Sequence, residues 1–293
     1  MDQIKIGTCV PGEDIFKWIP FLIENKFETL EVYYTFSLKG ADFVEMSKKV
    51  KEQLADTGIQ VSSVGFYCNP LQSQEQKKEL EYCIDHASLF GAKSVNTFAG
   101  AFEGGRVEEA MPKFKEVFTE LTKRAASHNL NIGIENCPMG GTWENTTCNI
   151  GFNPRAWEMM FHEVPADNLG LEWEPTHQMA QLIDPVAQLR QWVHKVNHIH
   201  GKDATMDYEL IKKYGVNSGL YFCQHRTPGF GDTDWRKIIS ILHQGGYNND
   251  ICIEGFHDPV YRDEWELTGQ LHALSYLKWC RGNEFVPNPW DIK

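Results

Sequence analysis

Leu169-Gly170-Leu171-Glu172-Trp173-Glu174-Pro175-Thr176-His177 is an apolar run that stops at a carboxylate and, three residues later, an imidazole. Parallel strands are covered on both faces and read as near-continuous apolar stretches, so this run predicts a parallel strand passing into a loop near Glu174. In barrels and open α/β sheets the C-terminal tips of the strands carry the chemistry, which places Glu174 and His177 at such a tip. Three other runs end in the same way: Ile132-Gly133-Ile134-Glu135-Asn136, Val196-Asn197-His198-Ile199-His200 and Asp250-Ile251-Cys252-Ile253-Glu254. Four strands that each deliver a hard or borderline ligand to one rim form a metal-site constellation.

Working outward, the remaining chain repeats the same unit. Strand-like runs are expected at 4–10, 29–35, 60–67 and 94–99, ahead of the four already named at 131–135, 169–174, 196–200 and 251–254. Helical spacing of apolar residues falls between them, at 15–26, 43–56, 74–90, 107–128, from Pro154 onward, and at 185–195, 235–244 and 262–280. Eight strands alternating with helices, without a linker or a break in composition, predict one α/β domain, a (β/α)8 TIM barrel spanning 1–293 with 281–293 as a C-terminal tail. The segment 203–235 interrupts the rhythm, and its end, Thr227 to Trp235, is expected as a loop closing on Asp234, an N-cap for the helix at Trp235. In the tail, Phe285 and Trp290 suggest packing against the barrel or a homo-oligomeric interface.

Composition narrows the function classes. The 293 residues are 42% hydrophobic and 23% charged, the balance of a soluble globular chain, and no apolar run is long enough to cross a membrane. The formal net charge of -12 argues against a nucleic-acid partner, since phosphate binding needs clustered Lys and Arg. Eight scattered cysteines make no C-x-x-C pair and no disulfide framework, and the first residues lack the pattern of a secretion signal, so a cytoplasmic protein with reduced thiols is expected.

Glu135, Glu174, His200 and Glu254 are the expected metal ligands. An oxygen-rich set with one imidazole suits a divalent ion with open positions, Mn²⁺ first, with Mg²⁺, Co²⁺ or Zn²⁺ possible. Such an ion stabilises the enediolate formed when a proton leaves the carbon beside a carbonyl, and Glu135 and Glu254 are the expected acid/base pair. His177, Lys202, Arg226 and His257 are the expected contacts to a small carbohydrate substrate. His198 shares a strand face with His200, and only one of them need be a ligand, His198 being the better candidate for a hydrogen-bonded core residue. Glu31, His225 and Asp258 are further rim candidates.

With these residues in view, the chain resembles the sugar phosphate isomerase/epimerase superfamily, the xylose isomerase-like, AP endonuclease 2-like TIM barrels. The resemblance covers nearly the whole chain and rests on Ile-Glu-Asn at 134–136, the acid-Pro-Thr-His step at 174–177, His-Ile-His-Gly-Lys-Asp at 198–203, Pro-Gly-Phe-Gly-Asp at 228–232 and Ile-Glu-Gly at 253–255. It implies a TIM barrel in which the equivalents of Glu135, Glu174, His200 and Glu254 hold Mn²⁺ or Co²⁺ and the first and last glutamates move the proton, as in ketose 3-epimerases. The implied function is a carbohydrate isomerase or epimerase. The alternatives are a lyase of the same superfamily, dehydrating keto-inositols or eliminating from 3-oxo-glycosides, and a non-catalytic sugar-binding protein. The chain departs from the pattern in having Glu174 where Asp is usual, and Met206 where the epimerases carry Arg. The nuclease branch is not expected, because Tyr67, Asn69, Asn96 and Phe98 stand where it needs histidines.

Overall fold

The computed structural model describes residues 3–288 and residue 290. Eight parallel strands close into a barrel: β1 (Ile6–Pro11), β2 (Thr29–Thr35), β3 (Gln60–Tyr67), β4 (Ser94–Thr97), β5 (Asn131–Glu135), β6 (Leu169–Trp173), β7 (Val196–Gly201) and, after an antiparallel pair β8 (Asp203–Met206) and β9 (Cys223–Arg226), β10 (Ile251–Ile253). Around the ring the order is β1-β10-β7-β6-β5-β4-β3-β2. Between the strands run α1 (Ile15–Glu24), α2 (Phe43–Leu54), α3 (Gln74–His86), α4 (Val107–Ser127), α5 (Pro154–Glu163), α6 (Thr176–Met179), α7 (Pro185–Trp192), α8 (Tyr208–Tyr214), α9 (Trp235–Gln244) and α10 (Glu266–Arg281).

Local chemistry accounts for most of these boundaries. Helix starts are capped by side chains that accept orphan backbone N–H groups: Asp42 for α2, Ser73 for α3, Asn153 for α5, Asp184 for α7 and Asp234 for α9. The buried face of α2 is Phe43, Ser47, Val50 and Leu54, and that of α9 is Trp235, Ile238, Ile239, Ile241 and Leu242, the spacing of a stripe laid on a sheet. Each large aliphatic side chain fully removed from water on these faces contributes roughly 1.5–3 kcal/mol.

Two expectations are corrected, and one segment takes a structure the sequence did not indicate. After β7, β8 and β9 pair as a hairpin with α8 between them, because Asp203, Ala204, Thr205 and Met206 find strand partners in Arg226, His225, Gln224 and Cys223, while the loop expected after Arg226 is present and ends in the Asp234 cap of α9. The run through Glu174 ends as a strand at Trp173 and turns into the one-turn helix α6. β4 ends at Thr97 rather than at residue 99, since beyond it the backbone N–H of Ala99 bonds the Asn149 side chain instead of a neighbouring strand.

At the N-terminal end of the barrel, Arg281 of α10 donates to Glu28 (2.6 Å) and to the Ile4 carbonyl (2.7 Å), while Glu28 also accepts from the Ile6 N–H (2.9 Å). This ties the last helix to the first strands. No helix among the described residues is long and apolar enough to cross a membrane, and all eight cysteines are free thiols.

Candidate active site and metal centre

Inside the barrel the polar side chains form two layers. The inner layer is built where two strand pairs carry bulges, between Leu30 and Glu31 on β2 against β3 and between Leu171 and Glu172 on β6 against β7. Each shift leaves one extra residue on the partner strand, Ser62 on β3 and Asn197 on β7, beside a glutamate of the inner layer. Asn96 donates to Glu172 (2.6 Å) and to Glu31 (2.9 Å), His198 Nδ1 to Glu172 (2.8 Å), and Ser63 to Glu31. The Tyr67 hydroxyl reaches both carboxylates and lies 3.1 Å from His200 Nε2. Gly65 and Gly133 make the space: a Cβ on Gly65 would stand 2.8 Å from Glu31 Oε1, and one on Gly133 2.5 Å from Asn96 Oδ1. Burial pushes the Glu31 carboxyl up, but His200, His198 and Ser63 more than offset this and hold it well below the usual carboxylate range.

The outer layer lies one step toward the C-terminal rim. His200 Nδ1 stands 3.3 Å from both Glu135 Oε1 and Glu254 Oε2, and ligand atoms of these three residues fall within 4.8 Å of one another. Lys202 Nζ donates to Glu254 Oε1 at 2.9 Å and is 3.9 Å from Glu174 Oε2. The His177 N–H donates to Glu174 Oε1 at 2.9 Å, so this carboxylate sits at the N-terminus of α6. Two asparagines hold the strand tips: Asn136 exchanges bonds with the Glu174 backbone at 2.7 and 2.9 Å, and Asn149 donates to the carbonyls of Glu135 and Cys137.

The electrostatics follow from carboxylates crowded with few cations. Burial, with the nearby Glu254 adding to it, pushes Glu135 up to about 7, and burial pushes Glu174 up to about 8. Burial acts on Glu254 as well, but Lys202, His200 and His257 outweigh it and hold this group well below its ordinary value. His177 is driven well below its usual range by burial and by Lys202, so its imidazole is neutral.

The structure thus brings Glu135, His200 and Glu254 together, while Glu174 is set back beside Lys202 and outside that three-residue grouping. His177, Lys202 and His257 line the same cavity, of about 330 Å³. Arg226 does not. It pairs with Asp258 at 3.0 Å, because neighbouring residues of a strand point to opposite sides and it is His225 of β9 that faces the cavity. Burial together with Lys202 lowers His225 to about 3, so a second neutral imidazole joins the wall. Trp173 is buried and donates to Gln188 (2.8 Å), a packing role. A larger hollow, about 690 Å³, opens at the other end of the barrel around Glu28 and Arg281, and none of the expected ligands line it. Sequence reasoning missed Glu172 and the part played by Tyr67. The period of two that carries Glu174 inward carries Glu172 as well, whereas the donors that meet it come from β3 and β4 and leave no local signature.

Whether these residues suit a cation is answered by their unpartnered atoms. Glu174 Oε2, His200 Nδ1 and Glu254 Oε2 are buried without a hydrogen-bond partner, whereas the carboxylates of the inner layer are met by Asn96, Ser63, Tyr67 and His198. Buried polar atoms left without partners are costly unless a ligand satisfies them. The outer layer therefore fits a divalent cation; in the inner layer, equally rich in Glu and His, the carboxylates are already met.

Residues 21–278 match the xylose isomerase-like TIM barrel family. Among curated proteins, the inosose dehydratase of Clostridium tetani is 29% identical over 302 residues, covering 94% of this chain and 97% of that one. Among solved structures, the E. coli 3-keto-D-glucoside 4-epimerase superposes with a TM-score of 0.70 at 16% identity, covering 95% of this chain and all of that one. The IOLI protein, solved with a bound zinc atom, superposes at 0.67 and 19% identity, covering 94% and 96%. Closed parallel barrel and family match agree, and the chain belongs to the xylose isomerase-like TIM barrel family.

Proposed function

We propose that this chain is a metal-dependent lyase acting on a keto-sugar or keto-polyol. It removes the proton beside the carbonyl and expels the substituent on the next carbon, as a dehydratase when that substituent is hydroxyl. The observation that carries this reading is the unequal pairing of the two glutamates: Lys202 is hydrogen-bonded to Glu254 at 2.9 Å, and among the described residues no lysine or arginine pairs with Glu135. Epimerisation asks two groups to exchange acid and base roles across the substrate carbon. An elimination asks for one base and one donor on the departing oxygen, which Glu135 and Lys202 supply. The full-length likeness to inosose dehydratases supports the same class.

Glu135, Glu174, His200 and Glu254 would hold the ion, Mn²⁺ first and Mg²⁺, Co²⁺ or Zn²⁺ by the same donors, and a bound ion supplies Lewis-acid polarisation of the carbonyl. The protein does the rest. Glu135 takes the proton, the C–H electron pair becomes the new C=C bond, and the β C–O bond breaks. The departing oxygen collects a proton from the Lys202 ammonium, and the proton on Glu135 restores the lysine. Neutral His177, together with His257, hydrogen-bonds the remaining hydroxyls. The isomerase or epimerase reading keeps one observation in its favour, the equal 3.3 Å approach of Glu135 and Glu254 to His200 Nδ1.

The test is mass spectrometry and proton NMR of metal-reconstituted protein in D₂O with keto-inositols, 3-oxo-glucosides and free ketoses. Loss of water or of the aglycone supports the lyase. Deuterium entering beside the carbonyl with the carbon framework and hydroxyls retained would return the protein to the epimerases.

A further inference from the structure

The cavity has two unlike halves. On one side of the ring, α6, β9 and the segments just after β7 and β10 present His177, His225, Lys202, Glu254 and His257. Across it, β2, β3 and the segment after β4 present Tyr33, Tyr67 and Phe98, and Phe256 closes the row from beyond β10. The rings are continuous: Phe256 stacks on Tyr33 (centroids 6.0 Å, planes 16° apart), Tyr33 meets Tyr67 at 6.4 Å, and Tyr67 meets Phe98 at 5.4 Å. Phe98 and Phe256 carry no polar group and the Tyr67 hydroxyl is already committed to Glu31, Glu172 and His200, which leaves Tyr33 as the ring of this row with a hydroxyl to offer. The row also runs out to the mouth, where Phe256 remains 40% exposed and Met139 37% exposed.

A bare polyol carries hydroxyls around its whole edge, and those turned to the Phe98, Tyr67 and Phe256 rings would lose water without gaining partners. An apolar surface rimmed by polar groups and continuous with a catalytic cavity marks the place of an apolar part of the ligand. We propose that the substrate is a sugar or polyol bearing an aryl substituent, with the polar ring against the histidine and lysine side and the aryl group on the Tyr33–Phe256 wall. This rests on the proposed lyase reading for the polar half, and it narrows the substrate class.

Phenyl and methyl β-D-glucoside lack the ketone and cannot turn over, so their binding to the metal-reconstituted protein isolates the apolar contact. Calorimetric titration is expected to give phenyl about tenfold tighter than methyl in the wild type, the effect of burying one face of an aromatic ring. Phe256→Ala, at an exposed position, is expected to fold with an unchanged melting temperature, to bring the two affinities within about twofold, and to leave methyl binding as it was. Equal affinities in the wild type, an intact phenyl preference in Phe256→Ala, equal weakening of both compounds, or no binding of either would overturn the proposal. The chemistry is separable: a phenyl preference without any deuterium exchange or elimination in keto compounds sinks the lyase reading alone. Elimination from keto-inositols with no phenyl preference sinks the aryl proposal alone.

Discussion

Glu172 and Glu174 are two residues apart, as are His198 and His200, and each pair points into the barrel. Their fates differ. Glu172 and His198 bond each other and are completed by Asn96, Tyr67, Ser62 and Ser63, so every carboxylate oxygen of the inner layer has a donor. Glu174 Oε2 and His200 Nδ1, one layer further out, are buried without a partner. His200 spans the two layers, its Nε2 close to Tyr67, Glu31 and Glu172 and its Nδ1 between Glu135 and Glu254. That arrangement directs the Nε2 proton inward and leaves Nδ1 for a cation, the role outer partners play for metal-binding histidines. Glu and His content does not tell these two clusters apart, whereas hydrogen-bond satisfaction does.

The largest effect expected from this contrast is on turnover. Glu135→Gln should lower the rate of the exchange or elimination reaction by about 10²–10⁴-fold, the usual worth of a general base, with the melting temperature close to wild type. Near-normal turnover in that variant would remove the outer layer from the chemistry. Glu31→Ala should do the reverse. It leaves Ser63, Asn96 and His198 without their shared acceptor and is expected to cost about 3–5 kcal/mol in urea denaturation, as when one partner of a buried charged network is removed. A loss under about 1 kcal/mol would mean that the inner layer is not what holds this part of the barrel.

A divalent ion offers a smaller and reversible probe. Mn²⁺ at a hundred times its dissociation constant should stabilise the wild type by about 2.7 kcal/mol, and a chelator should reverse this. Ser63→Ala should keep most of the shift and Glu254→Gln should lose most of it. The opposite pattern would place the cation in the inner layer.

The smallest effect belongs to a carboxylate outside both layers. Burial raises Glu28, but hydrogen bonds from Arg281 and the Ile6 N–H, with Lys278 nearby, more than offset it, so its folded pKa lies below the ordinary glutamate value. A depressed pKa contributes stability above the unfolded value and loses it as pH falls through the folded one. Glu28→Gln should therefore cost about 1 kcal/mol at pH 7 in thermal or urea melts, with the difference from wild type fading as the solution is acidified below the glutamate range. A difference that grew on acidification would contradict this pairing.

Much of the fold was legible because its signals are local. Apolar runs of strand length separated by helical spacing give eight units, and only a closed parallel barrel covers all of them. The period of two along β7 places His198, His200 and Lys202 on one face, and the structure finds all three there. Where the expectation failed, the deciding partner is remote in sequence. Arg226 is the expected contact from the sequence, but pairing of β9 with β8, across a helix, turns it to Asp258 and leaves His225 facing the cavity.

The sequence by itself determined the barrel, the alternation of inward and outward residues, and the four strand tips that end in Glu or His. Only the tertiary structure decided the depth at which each inward residue lies and whether its polar atoms are met. Those outcomes depend on donors from β3 and β4, Tyr67 and Asn96, more than seventy residues from the groups they satisfy on β6. A strand pattern fixes a side chain's face, whereas its partners come from neighbours brought near only when the ring closes.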